Sequence, residues 1–208
     1  MKRTAARYCP LLPYLLAALP LLYLVLLLAR HYVDVPVADQ WLLVPMIDRA
    51  FRGELTFTDL HSAQYEHRML FPRLIMIGLA LITDWNTGYE IAVTVILAVG
   101  TLLALLYQTR LTQQDTGWSR FRWHMPVLAL MVFSLGQGEN WFCGWQLQFP
   151  LTVLSVVLGF TLLSRPEWSL WRYLGAIALG GVATYSLGNG PLYWPLAIAL
   201  AAVMPWRP

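Results

Sequence analysis

The chain has 208 residues, of which 58% are hydrophobic and only 12% charged, and its formal net charge is +3. Soluble domains carry about 25% charged residues, and the apolar surplus here comes in blocks, giving a mean hydropathy of +0.56. That combination argues against a soluble enzyme core and for a membrane protein. The arginines sit at block ends, not in a patch, which argues against nucleic acid as a partner. Cys9 and Cys143 lie far apart with no paired spacing, which argues against a zinc ribbon or a redox pair.

Lys2, Arg3 and Arg7 precede an uncharged run from Pro10 to Ala29. The run is longer than the roughly 7–15 residues of a cleaved signal core, and no small-x-small site precedes Arg30, so a retained helix over 10–30 is expected. Its basic start should stay in the cytoplasm. A membrane helix tolerates the kinks expected at Pro13 and Pro20.

The segment 31–71 is the longest polar interval. It holds six of the 11 acidic residues (Asp34, Asp39, Asp48, Glu54, Asp59 and Glu66), with Asp84 and Glu90 just beyond. Gln40 to Phe51 alternates apolar and charged residues as an interfacial amphipathic helix would, with Trp41 at headgroup depth and Gly53 as its stop. Thr58 or Asp59 is expected to cap a second short helix through Leu60 to Glu66.

Further membrane helices are expected over 72–208. Met69 to Thr83 is apolar but short for a crossing. Tyr89–Gln108, Leu147–Leu163 and Tyr173–Leu187 read as spans, with shorter apolar blocks over Met125–Leu135 and Leu192–Val203. If 69–83 does not cross, Arg110, Arg120, Arg122, Arg165, Arg172 and Arg207 share the cytoplasmic side with the N-terminus, as the positive-inside bias prefers. The expected fold is all-α: a single polytopic transmembrane helical bundle of about six spans, with an extracytoplasmic amphipathic loop after the first helix.

Three clusters could carry chemistry. Glu66-His67-Arg68 with Arg73 is the sharpest. A charge at the bilayer centre costs about 3 kcal/mol, so these residues must sit at the interface or in a wet cavity. If a helix starts near Arg68, the two guanidiniums could fork one anion; the alternative is snorkelling plus a structural Glu–Arg pair. Asp34 and Asp39 stand just past the first helix. Asp39, fixed at the start of the interfacial helix, is the better candidate for a general base, against the alternative of a solvated loop carboxylate. Glu139, Asn140 and Trp141, with Trp145, Gln146 and Gln148, form a polar and aromatic patch. Indoles stack on sugar rings and amides bind hydroxyls, although interface tryptophans are common in any case. Gly188-Asn189-Gly190 reads as a helix-breaking turn. His61 and His67 do not make an HExxH motif, so no metal is expected. No phosphate-binding glycine loop and no GxSxG motif occur.

The strings ADQWLLVPMIDRAFRGELTFTDL, EHRMLFPRL, GENWFCGWQLQF and SLGNGPLYWP resemble a group of bacterial membrane proteins related to GT-C-type glycosyltransferases, over most of Asp39 to Pro195. The resemblance implies sugar transfer from a polyprenyl-phosphate donor outside the cytoplasm, by a multi-pass protein of the inner membrane. It implies Asp39 as the base and Glu66, His67 and Arg68, with Arg73, near the donor phosphate. Glu139, Asn140, Trp141 and Gln146 would meet the sugar or acceptor. It also implies that 208 residues correspond to the N-terminal portion of a longer protein. Two competing expectations are a lipid-linked sugar binding or transport protein, and a non-catalytic membrane subunit or fragment.

Overall fold

The structure is a computed structural model that describes residues 11–65, 67–113, 117–165, 167 and 169–203. Helix α1, Leu12–His31, is 20 residues long and leucine-rich. At 1.5 Å per residue it measures about 30 Å, the thickness of a bilayer's hydrocarbon core. Leu24 and Leu28, one turn apart, are buried, while Leu15, Leu19, Leu22 and Leu26 lie open along the rest of its surface. So many exposed leucines on one helix suit hydrocarbon, not water. The buried pair packs with Ile91, Ala98, Ala129, Phe133 and Trp141, contributed by the helices described next.

After α1 the chain makes a 3₁₀ turn, Ala38–Leu43, and continues directly into α2, Val44–Phe51. Helix α3, Phe57–His61, starts at Thr56 with a capping box. The Asp59 backbone N–H donates to Thr56 Oγ1, and the Thr56 N–H donates back to Asp59 Oδ2. The cap is therefore Thr56, not the expected Thr58 or Asp59, because Asp59 serves the box from the third helical position. Those bonds from Thr56, aided by the Arg49 guanidinium, hold the Asp59 carboxyl below its ordinary value. The helix also stops earlier than expected. A hairpin follows, with β1, Ala63–Gln64, antiparallel to β2, His67–Arg68.

Helix α4 runs Leu70–Thr83 and α5 runs Thr87–Thr112. Between them Asp84 and Trp85 both take left-handed backbone conformations, which ends α4 sharply. The short α6, Trp118–Phe121, and α7, His124–Val132, lead to α8, Gly138–Phe142. A 3₁₀ turn, Gly144–Leu147, then enters α9, Gln148–Leu163. Helix α10, Leu170–Thr184, returns along α9, and α11, Tyr193–Val203, packs on both. Tyr193 is the wedge there: it is buried, stacks on Phe160 and donates its hydroxyl to Ala176 O at 2.8 Å.

Among the described residues three stretches are long and apolar enough to cross a membrane: Leu12–His31, Thr87–Thr112 and Gly144–Leu163. The sequence pattern predicts about six. The other apolar helices are short: α7 ends at Val132, before the turn around Ser134, α4 and α10 end at the turns at 84–86 and 185–190, and α10 has only 15 residues. The largely helical architecture stands as expected, with one two-stranded hairpin added.

Two ends of the bundle differ in charge. Phe71 N donates to Tyr185 O at the foot of α10, and Thr87 N donates to Asp34 Oδ1 just past α1. Both ends of α4 therefore lie at one end of the bundle, which also carries Asp39, Asp59 and the start of α9. Trp118, bonded to Tyr14 at the start of α1, marks the other end, together with Arg110, Arg120, Arg122, Arg165 and Arg172. There Arg110 lies over the rings of Trp118 and Phe121, Arg165 bonds Tyr107, and Arg172 pairs with Glu167.

Asp34 ties α1 to α5. Its carboxylate accepts from both the backbone N–H and the hydroxyl of Thr87, each at 2.9 Å, at the positive end of a helix. Partial burial works to raise its pKa, but these bonds outweigh it and hold it below the ordinary carboxylate value. A depressed carboxylate contributes stability that is complete above its unfolded pKa and is lost as pH falls through its folded pKa. Asp34→Asn should therefore melt slightly earlier than wild type at pH 7, by about a few tenths of a kcal/mol for so exposed a group, and the difference should shrink as the pH falls through the carboxyl's lowered folded value. A constant difference down to pH 2 would contradict this.

Candidate functional site

The first loop is held to the bundle by two buried ionisable groups with no opposite charge beside either among the described residues. Arg73, at the start of α4, is 1% exposed. One terminal nitrogen, Nη1, donates to Ser62 O at 2.6 Å, Leu60 O at 3.0 Å and Ser62 Oγ at 3.1 Å. Its other terminal nitrogen donates to Gln64 Oε1 at 3.0 Å, and only Nε has no partner. This explains why α3 stops at His61: its last carbonyls are drawn to the guanidinium, not to another helical turn.

Glu90, in the first turn of α5, is 0% exposed. Gln40 Nε2 donates to its Oε2 at 2.6 Å and Trp85 Nε1 to its Oε1 at 3.3 Å. Gln40 Oε1 in turn accepts from Val37 N at 3.0 Å. The Cys143 thiol lies 3.8 Å from the same Gln40 oxygen, and burial raises the thiol above its ordinary pKa. Gly144 packs directly on Glu90 and Gln40. Glu90 thus joins the loop around Asp39 to the 3₁₀ turn of residues 144–147.

Between those two segments and the hairpin lies a cavity of about 240 Å³, most of whose lining residues carry a polar group. Asp39, Tyr65, His67, Trp145, Gln146 and Gln148 line it, with Gln64, Met69, Phe149 and Leu187. Two of its borders carry strained backbone: Ala38 (φ 49) beside Asp39 and Tyr65 (φ 51) at the hairpin tip. Non-glycine residues hold such angles only where surrounding bonds impose them. Gln148 is 5% exposed, and neither its Oε1 nor that of Gln146 has a hydrogen-bond partner. Orphaned buried carboxamide oxygens are uncommon in finished protein interiors, where each calls for a donor.

The fold therefore brings Asp39, His67 and Gln146 together from three distant segments. Glu66 lies outside the described residues, as do Cys9 and the basic residues at both termini. Arg68 does not join the cavity: it follows His67 on a strand, points away, and donates to His61 Nδ1 at 2.7 Å in the open. The expected convergence of Arg68 and Arg73 on one anion fails because α4 begins at Leu70, so the two do not share a helix. The donors of Arg73 already serve the loop.

The second patch also divides. Glu139 is exposed on α8. Trp141 is buried and donates its indole N–H to Ser134 O at 3.0 Å, so it is a packing element and not an open stacking face. Asn140 and Trp141 line a separate, mainly apolar cleft of about 290 Å³ between α5, α7 and α9, with Thr94, Ala98, Thr101 and Met131. Phe149 borders both hollows, so they adjoin. The indole that borders the polar cavity is that of Trp145, named with the same patch and as deeply buried as Trp141. Gly188 packs against the His67 ring, which gives the Gly188-Asn189-Gly190 turn a place behind the cavity.

Glu90 is the residue that sequence reasoning missed. Its signal was an isolated acid opening an otherwise apolar helix, where a carboxylate requires buried donors. No cluster of three or more potential metal ligands occurs among the described residues.

Compared with models of known protein families, with curated proteins and with solved structures, the chain finds no match in any of the three.

Proposed function

We propose that the chain is a membrane glycosyltransferase of GT-C-like type, which transfers a sugar from a polyprenyl-phosphate donor to an acceptor outside the cytoplasm of a bacterial inner membrane. The observation that carries this reading is the cavity itself: Asp39, His67, Trp145, Gln146 and Gln148 converge on one small polar hollow next to an apolar cleft. A carboxylate beside two unpartnered carboxamides and an indole offers hydroxyl recognition and one base. The adjoining cleft offers hydrocarbon a place against Thr94, Ala98 and Thr101. The end opposite the cavity carries Arg110, Arg120, Arg122, Arg165 and Arg172, and the chain enters α1 there directly after Lys2, Arg3 and Arg7; the positive-inside bias, in which the basic residues before the first helix weigh most, supports a cavity that faces away from the cytoplasm. On this arrangement α4 does not cross, and the acidic loop is extracytoplasmic.

In this reading Asp39 takes the proton of the acceptor hydroxyl as it attacks the sugar's anomeric carbon, and the polyprenyl phosphate leaves. His67 faces the leaving phosphate with a ring nitrogen, and Gln146 and Gln148 hold the sugar. Arg68 meets phosphate only from outside the cavity rim.

The experiment is Asp39→Asn introduced into the intact gene. Loss of a general base lowers turnover about 10²–10⁴-fold, so the envelope glycan made by this protein should fall to the background of a gene deletion while protein level holds. An unchanged glycan in a normally expressed variant removes Asp39 as the base.

A further inference from the structure

We propose that Glu90 is a positioning residue: through Gln40 it sets the direction of Asp39 at the cavity. The inference rests on the reading of Asp39 given above, but its geometry stands apart from it. The Gln40 side chain is held at both ends. Its nitrogen donates to Glu90 Oε2, and its oxygen accepts from Val37 N. That second bond closes a ring around Ala38 and Asp39, the stretch where Ala38 is forced to φ 49. Strain of this kind persists only while neighbouring bonds impose it. Glu90 is itself immobile, being fully buried and pressed against Gly144, with Trp85 bonded to its other oxygen. The order of restraint is Glu90, Gln40, the Val37–Gln40 ring, then Asp39.

The donor and acceptor count makes the proposal testable. Two N–H donors, from Gln40 and Trp85, face Glu90, so position 90 must supply two acceptors. In Glu90→Gln one acceptor becomes an NH₂ donor. If it turns toward Gln40, that amide must flip to accept, and Gln40 then meets the Val37 N–H with its own NH₂. The defect passes to the ring around Asp39. Exchanging the two residues, Gln40→Glu with Glu90→Gln, repairs every bond. Residue 40 then accepts from both residue 90 and Val37 N, and residue 90 accepts from Trp85.

The readout needs no turnover. Asp39→Cys is placed in a Cys9→Ser background, and the full chain is reconstituted in nanodiscs. The rate of labelling by a membrane-impermeant methanethiosulfonate is then measured. Cys143, buried with its thiol pKa raised, stays slow. Glu90→Gln should speed labelling at position 39 about tenfold, the order expected for loss of one buried hydrogen bond. The exchange variant should return it to the starting rate, and labelling of a Ser164→Cys reporter at the far end should not move. If Glu90→Gln does not fold, the exchange variant must still fold and label at the starting rate. An unchanged rate in Glu90→Gln overturns the proposal. So does an exchange variant that stays fast or fails to fold, because a merely space-filling Glu90 gains nothing from the exchange. If labelling behaves as stated while Asp39→Asn keeps its glycan, the restraint stands and the base assignment falls.

Discussion

Arg73→Met should unfold the hairpin wall of the cavity and lower stability by about 3–4 kcal/mol. The guanidinium supplies donors to Leu60 O, Ser62 O, Ser62 Oγ and Gln64 Oε1 from a site that is 1% exposed. Methionine keeps an unbranched, flexible side chain but offers no donor, and each orphaned buried acceptor costs about 1–3 kcal/mol. Replacing a whole buried ionic group by apolar residues can be neutral, but only when every partner is replaced with it; here the carbonyls remain. Because the loop lies at the surface, water recovers some of the loss, which keeps the figure below the simple sum. Arg73→Lys should fall about midway, since one ammonium can bind the Ser62 cluster but cannot also reach Gln64 as a planar fork does. Thermal melts in detergent, with limited trypsin digestion at Arg68, check both. An Arg73→Met variant as stable and as protease-resistant as wild type would refute the account.

Gly144→Ala should be nearly as severe, for a steric reason. A Cβ at this position would overlap Glu90 Oε2 and stand 2.6 Å from Gln40 Nε2. Neither neighbour is a free chain end, since both are buried and bonded to each other at 2.6 Å. Overpacking costs about 1–3 kcal/mol, and breaking the Gln40–Glu90 bond adds about 1–3 kcal/mol, so about 3–4 kcal/mol in all is expected. Gly78→Ala is the control. It sits mid-helix in α4 with nothing within 4 Å of its Cβ position, so it should gain about 0.5–1 kcal/mol from reduced chain entropy. Equal melting temperatures for the two variants would show that the 144–147 turn does not press on Glu90.

How much of this was legible follows from what each signal depends on. The long apolar runs placed α1, α5 and α9 within a few residues, because hydropathy over a span is a local sum. The loop around α3 was misread because the length of α3 is set by Arg73, 12 residues past its end, and no local propensity reports that. Asp39, His67 and Gln146 were legible as polar residues in apolar surroundings. Trp141 was chosen over Trp145 because both look alike in sequence; only the turn at 144–147 decides which indole meets the cavity. Glu90 escaped because its partners, Gln40 and Gly144, are 50 residues before it and 54 after it.

On the membrane arrangement proposed above, the placement of α4 also governs biosynthesis. Since it starts and finishes on one side, everything from Asp34 to Asn86 must be translocated as a single parcel while α5 is still inside the ribosome or the insertion channel. The hollow itself closes only when residues 144–149 emerge much later. The nascent loop must therefore wait with Arg73 already clamped and Glu90 still lacking its glycine lid, a half-assembled state that insertion factors would meet first.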